Sequence, residues 1–193
     1  LILPHTAILC QTHFLYGATP AQGTAMPATD DLQTVQLPAA VMKAPPRYGI
    51  LREEDGRTIL QPPPPATGLI WISVITVGPK PGHTGEVPDM HQIVQQQALQ
   101  RGRPVQELPD GKLITSFDEQ SEQDGQPLFV RTCEVGIEQT LGVFTVVIPR
   151  ADVSDPANAA LLADLPAMIE SFQPLQRTEF VETPTGTIET KVT

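Results

Sequence analysis

Two short stretches of the chain gather the side chains richest in chemistry. His83, Glu86, Asp89 and His91 fall within GHTGEVPDMH, residues 82–91. Imidazole nitrogens and carboxylate oxygens are the ligands of zinc and similar cations, and a zinc-activated water is a common hydrolytic nucleophile. A metal-dependent hydrolase centred on His83 and His91 is therefore the enzymatic alternative. The spacing matches no structured metal motif, and Gly82, Gly85 and Pro88 are ordinary loop formers. The expectation is no metal and no cofactor. The second stretch, SFDEQSEQDGQ, carries Asp118, Glu119, Glu122 and Asp124. It lacks the twelve-residue calcium pattern of an EF-hand. An acidic hairpin loop of this kind suits a basic patch on a protein partner, where charge raises association rate more than affinity. These four are the candidate binding residues.

Nucleophilic chemistry finds no support. There is no G-x-S-x-G elbow, and Ser73 sits inside a strand-like run. Cys133 alternates with apolar neighbours and reads as a small buried hydrophobe. No phosphate-cradling or dinucleotide glycine pattern occurs. No catalytic residue is expected.

The elements that must carry these residues follow from periodicity. Residues 68–78, GLIWISVITVG, are apolar at both parities, as are residues 141–149, LGVFTVVIP. Strands of that kind are central and covered on both faces. Asp55-Gly56 joins two apolar runs in YGILREEDGRTILQ, a hairpin signal. The four prolines 62–65 read as a stiff spacer holding two strands apart, in preference to a ligand for an aromatic groove. Residues 35–42 suggest a first strand, which Pro38 confines to an edge or a bend.

One helix opens at Pro88-Asp89, places Met90, Ile93, Val94 and Ala98 on one face, and stops at Gly102. A second begins after Asp155, the fitting N-cap, with Pro156 in its first turn. Its stripe is Leu161, Leu162, Leu165, Met168, Ile169 and Phe172. Pro166 lies off the stripe and removes one backbone bond, so the helix bends or splits in phase. The stripe is core packing. Between the helices come successive strands separated by turns, which implies a mostly antiparallel sheet.

The whole chain of 193 residues has 12 basic and 22 acidic side chains, a net charge of -10. That balance argues against nucleic acid and anionic membranes as partners. The 21 prolines gather in loops and flanks. Residues 1–16, LILPHTAILCQTHFLY, are too short and interrupted for a membrane span. They read as a disordered leader or the remnant of a secretory signal. An extracytoplasmic place, periplasmic or secreted, is preferred to the cytoplasm. Cys10 and Cys133 are far apart in sequence, and nothing in their context pairs them. The expected organisation is a leader and linker over 1–33, a domain over 34–175, and an extension over 176–193. The extension, TEFVETPTGTIETKVT, reads as a small hairpin, a strand added to a partner, or a disordered tail.

The order of these elements resembles a known superfamily. An early hairpin, a buried central strand, a crossover helix, a meander of long strands and a last helix closing on IESFQPL are similar to the PsbP/MOG-type α/β/α sandwich. Its members include the PsbP proteins of photosystem II, a Ran-binding nuclear-transport factor and DcrB-like bacterial lipoproteins. The resemblance implies an α+β fold with a central, mostly antiparallel sheet of about six strands and helices on both faces. It also implies a non-catalytic accessory or binding protein that acts through a protein partner. The photosynthetic and Ran-binding roles are not carried over, because their contact residues find no counterparts here one by one.

Overall fold

A computed structural model of the chain describes residues 32–78 and 87–175, and the backbone of 178–182 and 188–192. The leader 1–31 with Cys10, and the segment with His83 and Glu86, lie outside the described residues. In chain order the elements are β1 (Gln33–Gln36), β2 (Ala40–Ala44), β3 (Gly49–Arg52), β4 (Thr58–Gln61), β5 (Leu69–Thr76), α1 (Met90–Gln100), β6 (Val105–Glu107), β7 (Leu113–Gln123), β8 (Gln126–Ile137), β9 (Thr140–Pro149), α2 (Pro156–Glu170), β10 (Gln173–Pro174), β11 (Thr178–Glu182) and β12 (Ile188–Val192). The fold is α+β and dominated by antiparallel sheet.

The main sheet has seven strands in the order β3-β4-β5-β9-β8-β7-β6, where about six were expected. All of its pairings are antiparallel. A second sheet of order β1-β2-β10 packs into the same core. The expected single strand over 35–42 is two strands, because the chain turns back at Pro38 and pairs Val35 with Met42. The prolines 62–65 do not hold strands apart: β4 and β5 are direct neighbours, with Leu60 opposite Ile70. The extension supplies a hairpin, β11 against β12.

Both-sided burial of β5 and β9 is corrected in one respect. Ile70, Ile72, Phe144, Val146 and Ile148 are fully buried, but the residues of the opposite parity are not. Leu69, Trp71, Val143 and Val147 are half-buried, and Ile75 is 50% exposed. The reason is the position of α1, which contacts β7 and β8 rather than β5.

The helices follow their sequence signals closely. The Asp89 carboxylate accepts the His91 backbone N–H at 3.0 Å and caps α1, which buries Met90, Val94 and Ala98. In α2, Leu161, Leu165, Met168 and Ile169 are buried, as is Phe172 just beyond; Leu162 is only half-buried. Burial of such side chains is worth about 1.5–3 kcal/mol each before entropy is subtracted. The helix does not split at Pro166: it runs unbroken to Glu170, with the proline exposed. Asp155 stands at the N-cap but makes no side-chain cap bond. The Phe172 ring meets Phe144 edge-on at 5.7 Å, in space that a side chain at position 142 would fill.

Two buried polar side chains bind α2 to the sheet. Asn158 is fully buried. Its Oδ1 accepts the backbone N–H groups of Thr67 and Gly68 at 3.2 and 3.0 Å, and its Nδ2 donates to the Asp152 carbonyl at 2.9 Å. Lys112 is also fully buried. Its Nζ donates to the Glu170 carbonyl at the end of α2 and pairs with Asp110, both at 2.5 Å. A cation there complements the free carbonyls of a helix C-terminus. No helix among the described residues is long and apolar enough to cross a membrane.

Candidate functional site

The acidic residues of the second stretch stand on a projecting ribbon. β7 and β8 pair without interruption from Leu113–Gly136 to Gln123–Gln126. β9 stops pairing with β8 at Leu128, and β6 stops pairing with β7 at Thr115. The two strands therefore run on alone from Glu122 to Pro127, β7 being a sheet edge before that, and residues 118–127 are all exposed. Asp124 and Gly125 make the turn, with φ of 52° and 78°. Positive φ at both central residues is what a tight two-residue hairpin turn demands.

This corrects the expected acidic loop. Only Asp124 is in the turn, while Asp118, Glu119 and Glu122 are strand residues. Strand alternation puts Asp118 and Glu122 on one side of the ribbon and Glu119 on the other. Asp118 is also the member whose charge is met internally. Arg131 lies directly across from it and grips it with two bonds, Nε to Oδ1 at 2.7 Å and Nη2 to Oδ2 at 2.8 Å. That fork raises the Arg131 pKa above its ordinary value. Arg150 donates to Gln120 on the same side at 2.7 Å. Among the described residues, Glu119, Glu122 and Asp124 form no ion pair. The free negative charge of the ribbon is thus at its far half.

The other stretch is divided. Asp89 and His91 border a cavity of about 570 Å³, together with Asp110, Glu138, Val87 and Ile137. Asp89 is engaged as the cap of α1. Asp110 is engaged by Lys112, whose hydrogen bond to it holds its carboxyl below the usual range. The His91 Nε2 is buried and meets no hydrogen-bond partner. Among the described residues, no group of three or more His, Cys, Asp or Glu is placed to hold a metal ion. The cavity lining, with three carboxylates, favours a cation over an anion.

Cys133 is 4% exposed, and burial pushes its thiol up to about 11. It is protonated at neutral pH and is no nucleophile there. Ser73 is half-buried within β5, opposite Val143.

No family model matches the chain, and no curated protein is similar to it. Solved structures are. A crystal structure from Bacteroides thetaiotaomicron aligns at a TM-score of 0.50 with 11% identity, over 75% of this chain. The matched part spans 50% of that protein's length. The cyanobacterial PsbP of Synechocystis sp. PCC 6803, CyanoP, aligns at a TM-score of 0.35 with 10% identity, over 80% of this chain and 98% of its own. A PsbP is thus among the structures this chain is similar to, as the order of elements in the sequence implied. At 11% identity and a TM-score of 0.50, the likeness to the Bacteroides structure is one of fold alone.

Proposed function

We propose that this chain is a non-catalytic accessory protein that binds a protein partner through the far half of the β7–β8 ribbon. The observation that carries the reading is the exposed ribbon itself: the edge of β7 and the two-stranded tip beyond it, continuous with the main sheet, bear Glu119, Glu122 and Asp124, none of them in an ion pair. A charged arm held by a sheet presents its field in a fixed direction, which speeds encounter with a basic patch. The resemblance of the element order to PsbP-type proteins supports an accessory role, and an extracytoplasmic place goes with it.

The PsbP-type sandwich, with a helix on each face of the main sheet, belongs to the same reading. Two glycines support it. Gly136 pairs with Leu141, so Gly136 and Gly142 project to opposite faces. A Cβ at position 136 would lie 2.8 Å from the Met90 carbonyl in α1, and one at position 142 would lie 2.9 Å from the Phe172 ring after α2. The domain is taken as 34–175.

Capture from an extract of the source cells tests the function. The chain is compared with a variant carrying Glu119→Gln, Glu122→Gln and Asp124→Asn. A partner retained by the first, released by salt and lost by the second is the expected result. A specific partner held equally by both, with unchanged salt dependence, would remove the ribbon as the site. Stoichiometric zinc in the purified protein, lost on changing His83 and His91, would favour the hydrolase instead.

A further inference from the structure

We propose that the open edge of β7, residues 118–123, takes up an extended basic segment of a partner as an added strand. The inference rests on the reading of the ribbon as the binding site and names the chemistry of its occupant.

The edge is open for a local reason. On one side β8 pairs every residue of β7 from Leu113 to Gln123. On the other side β6 pairs only Leu113, Ile114 and Thr115. β6 cannot be prolonged along β7 in the other direction, because the residue before Val105 is Pro104, which has no N–H to donate. Thr115 fixes that proline by donating its hydroxyl to the Pro104 carbonyl at 2.9 Å. Arg103 then turns over the Phe117 ring, its guanidinium 3.3 Å from the centroid. Among the described residues, no strand pairs with this edge of β7 beyond Thr115, and Pro104 and Arg103 continue beside it only as far as Phe117. Unpaired N–H and C=O groups in a row are a template for another strand, and residues 118–123 match the length of a typical one.

The side chains along this edge choose the occupant. A second copy laid antiparallel would crowd Asp118, Glu119 and Glu122 of both chains along one seam, and like charges across a ladder destabilise it. A basic strand meets no such cost. Glu119 and Glu122 are the residues to be matched, since Asp118 already holds Arg131. They stand on opposite faces and three residues apart, so an antiparallel partner places its cations three apart as well. The implied pattern in the partner is Lys-x-x-Lys, or its equivalents in Arg.

Synthetic peptides with that pattern in a threonine-rich background test this on the full chain. Two further peptides keep the charge and sequence but are N-methylated at alternate residues, one at each parity. In a strand only one parity of N–H faces the neighbouring strand. The expected result is binding of the parent, binding of one methylated peptide, and about tenfold weaker binding of the other, as the loss of one or two hydrogen bonds gives. Alternate amides of residues 118–123 gain protection from hydrogen exchange. No binding of the parent, or equal binding of both methylated forms, would overturn strand addition. Glu119→Gln with Glu122→Gln separates the two ideas. If that variant binds the parent peptide more weakly while methylation has no effect, the ribbon remains the site and only the strand geometry falls. If the variant binds it unchanged, the ribbon reading falls too. A dimer of the free chain formed through this edge would also overturn the proposal.

Discussion

The Cys133 thiol reports on the core by what it does with pH. Its pKa is raised by burial to about 11, so stability from the neutral thiol is complete below the ordinary thiol value and lost as pH rises toward about 11. The loss amounts to about 2–3 kcal/mol. Urea melts between pH 8 and 10.5 on a Cys10→Ser background should show that slope, and adding Cys133→Ala should flatten it. Tyr48, raised by burial and then by its bond to Asp164, contributes in the same direction only at the top of this range. The alternation of residues 129–137 made Cys133 legible in the sequence as a core residue. Asn158 was not legible. An asparagine in the first turn of a helix looks like a surface residue, and only the fold brings the Thr67 and Gly68 amides to it. Asn158→Ala leaves two backbone donors unpaired and should cost about 2–4 kcal/mol in a denaturant melt; a change within a few tenths would show that water replaces the side chain. Lys112 was hidden in the same way, since its partner carbonyl lies at Glu170, far along the chain.

Among the elements, α2 was the most legible and the ribbon the least. The stripe from Leu161 to Phe172 is a helical period that survives its internal proline, and the sheet beneath it is where those side chains go. Leu165→Ala and Phe172→Ala should each destabilise by about 2–5 kcal/mol, as large-to-small core changes do. Gln173→Ala, at an exposed position, should do little. Equal and small effects of all three in urea melts would show that α2 does not pack as described. The ribbon escaped a reading by hydrophobic period because residues 118–127 touch no core on either side. Strand alternation has nothing to alternate between when both faces are wet, and the polar run then looks like a loop. The signal that could have found it is Asp124-Gly125, a tight-turn pair between two segments of equal length. The same reasoning explains β5. Its apolar residues at both parities marked it as central, but apolar character alone does not say how fully each face is covered.

For the molecule as a whole, the order of elements carried the fold class, while strand count and the second sheet came only from the pairing itself. The four-residue β1 and the two-residue β10 are too short to show a period. Limited proteolysis should leave a stable fragment of about 34–175. A first cut within β7 to β9 would contradict that boundary, except at the ribbon tip, where exposed backbone invites nicking. The acidic balance of the chain gives the account its central claim, that the free carboxylates of the ribbon steer a basic partner to it. Steering acts on the rate of association and fades as salt shortens the Debye length, which is ~8 Å at physiological ionic strength. The most direct measurement is therefore the association rate constant of the captured partner across a range of salt, for the chain and for the Glu119→Gln, Glu122→Gln, Asp124→Asn variant. The account predicts a rate about tenfold lower for the variant at low salt, converging with the parent at high salt, and little change in dissociation. Superimposable association rates at every salt concentration would contradict it.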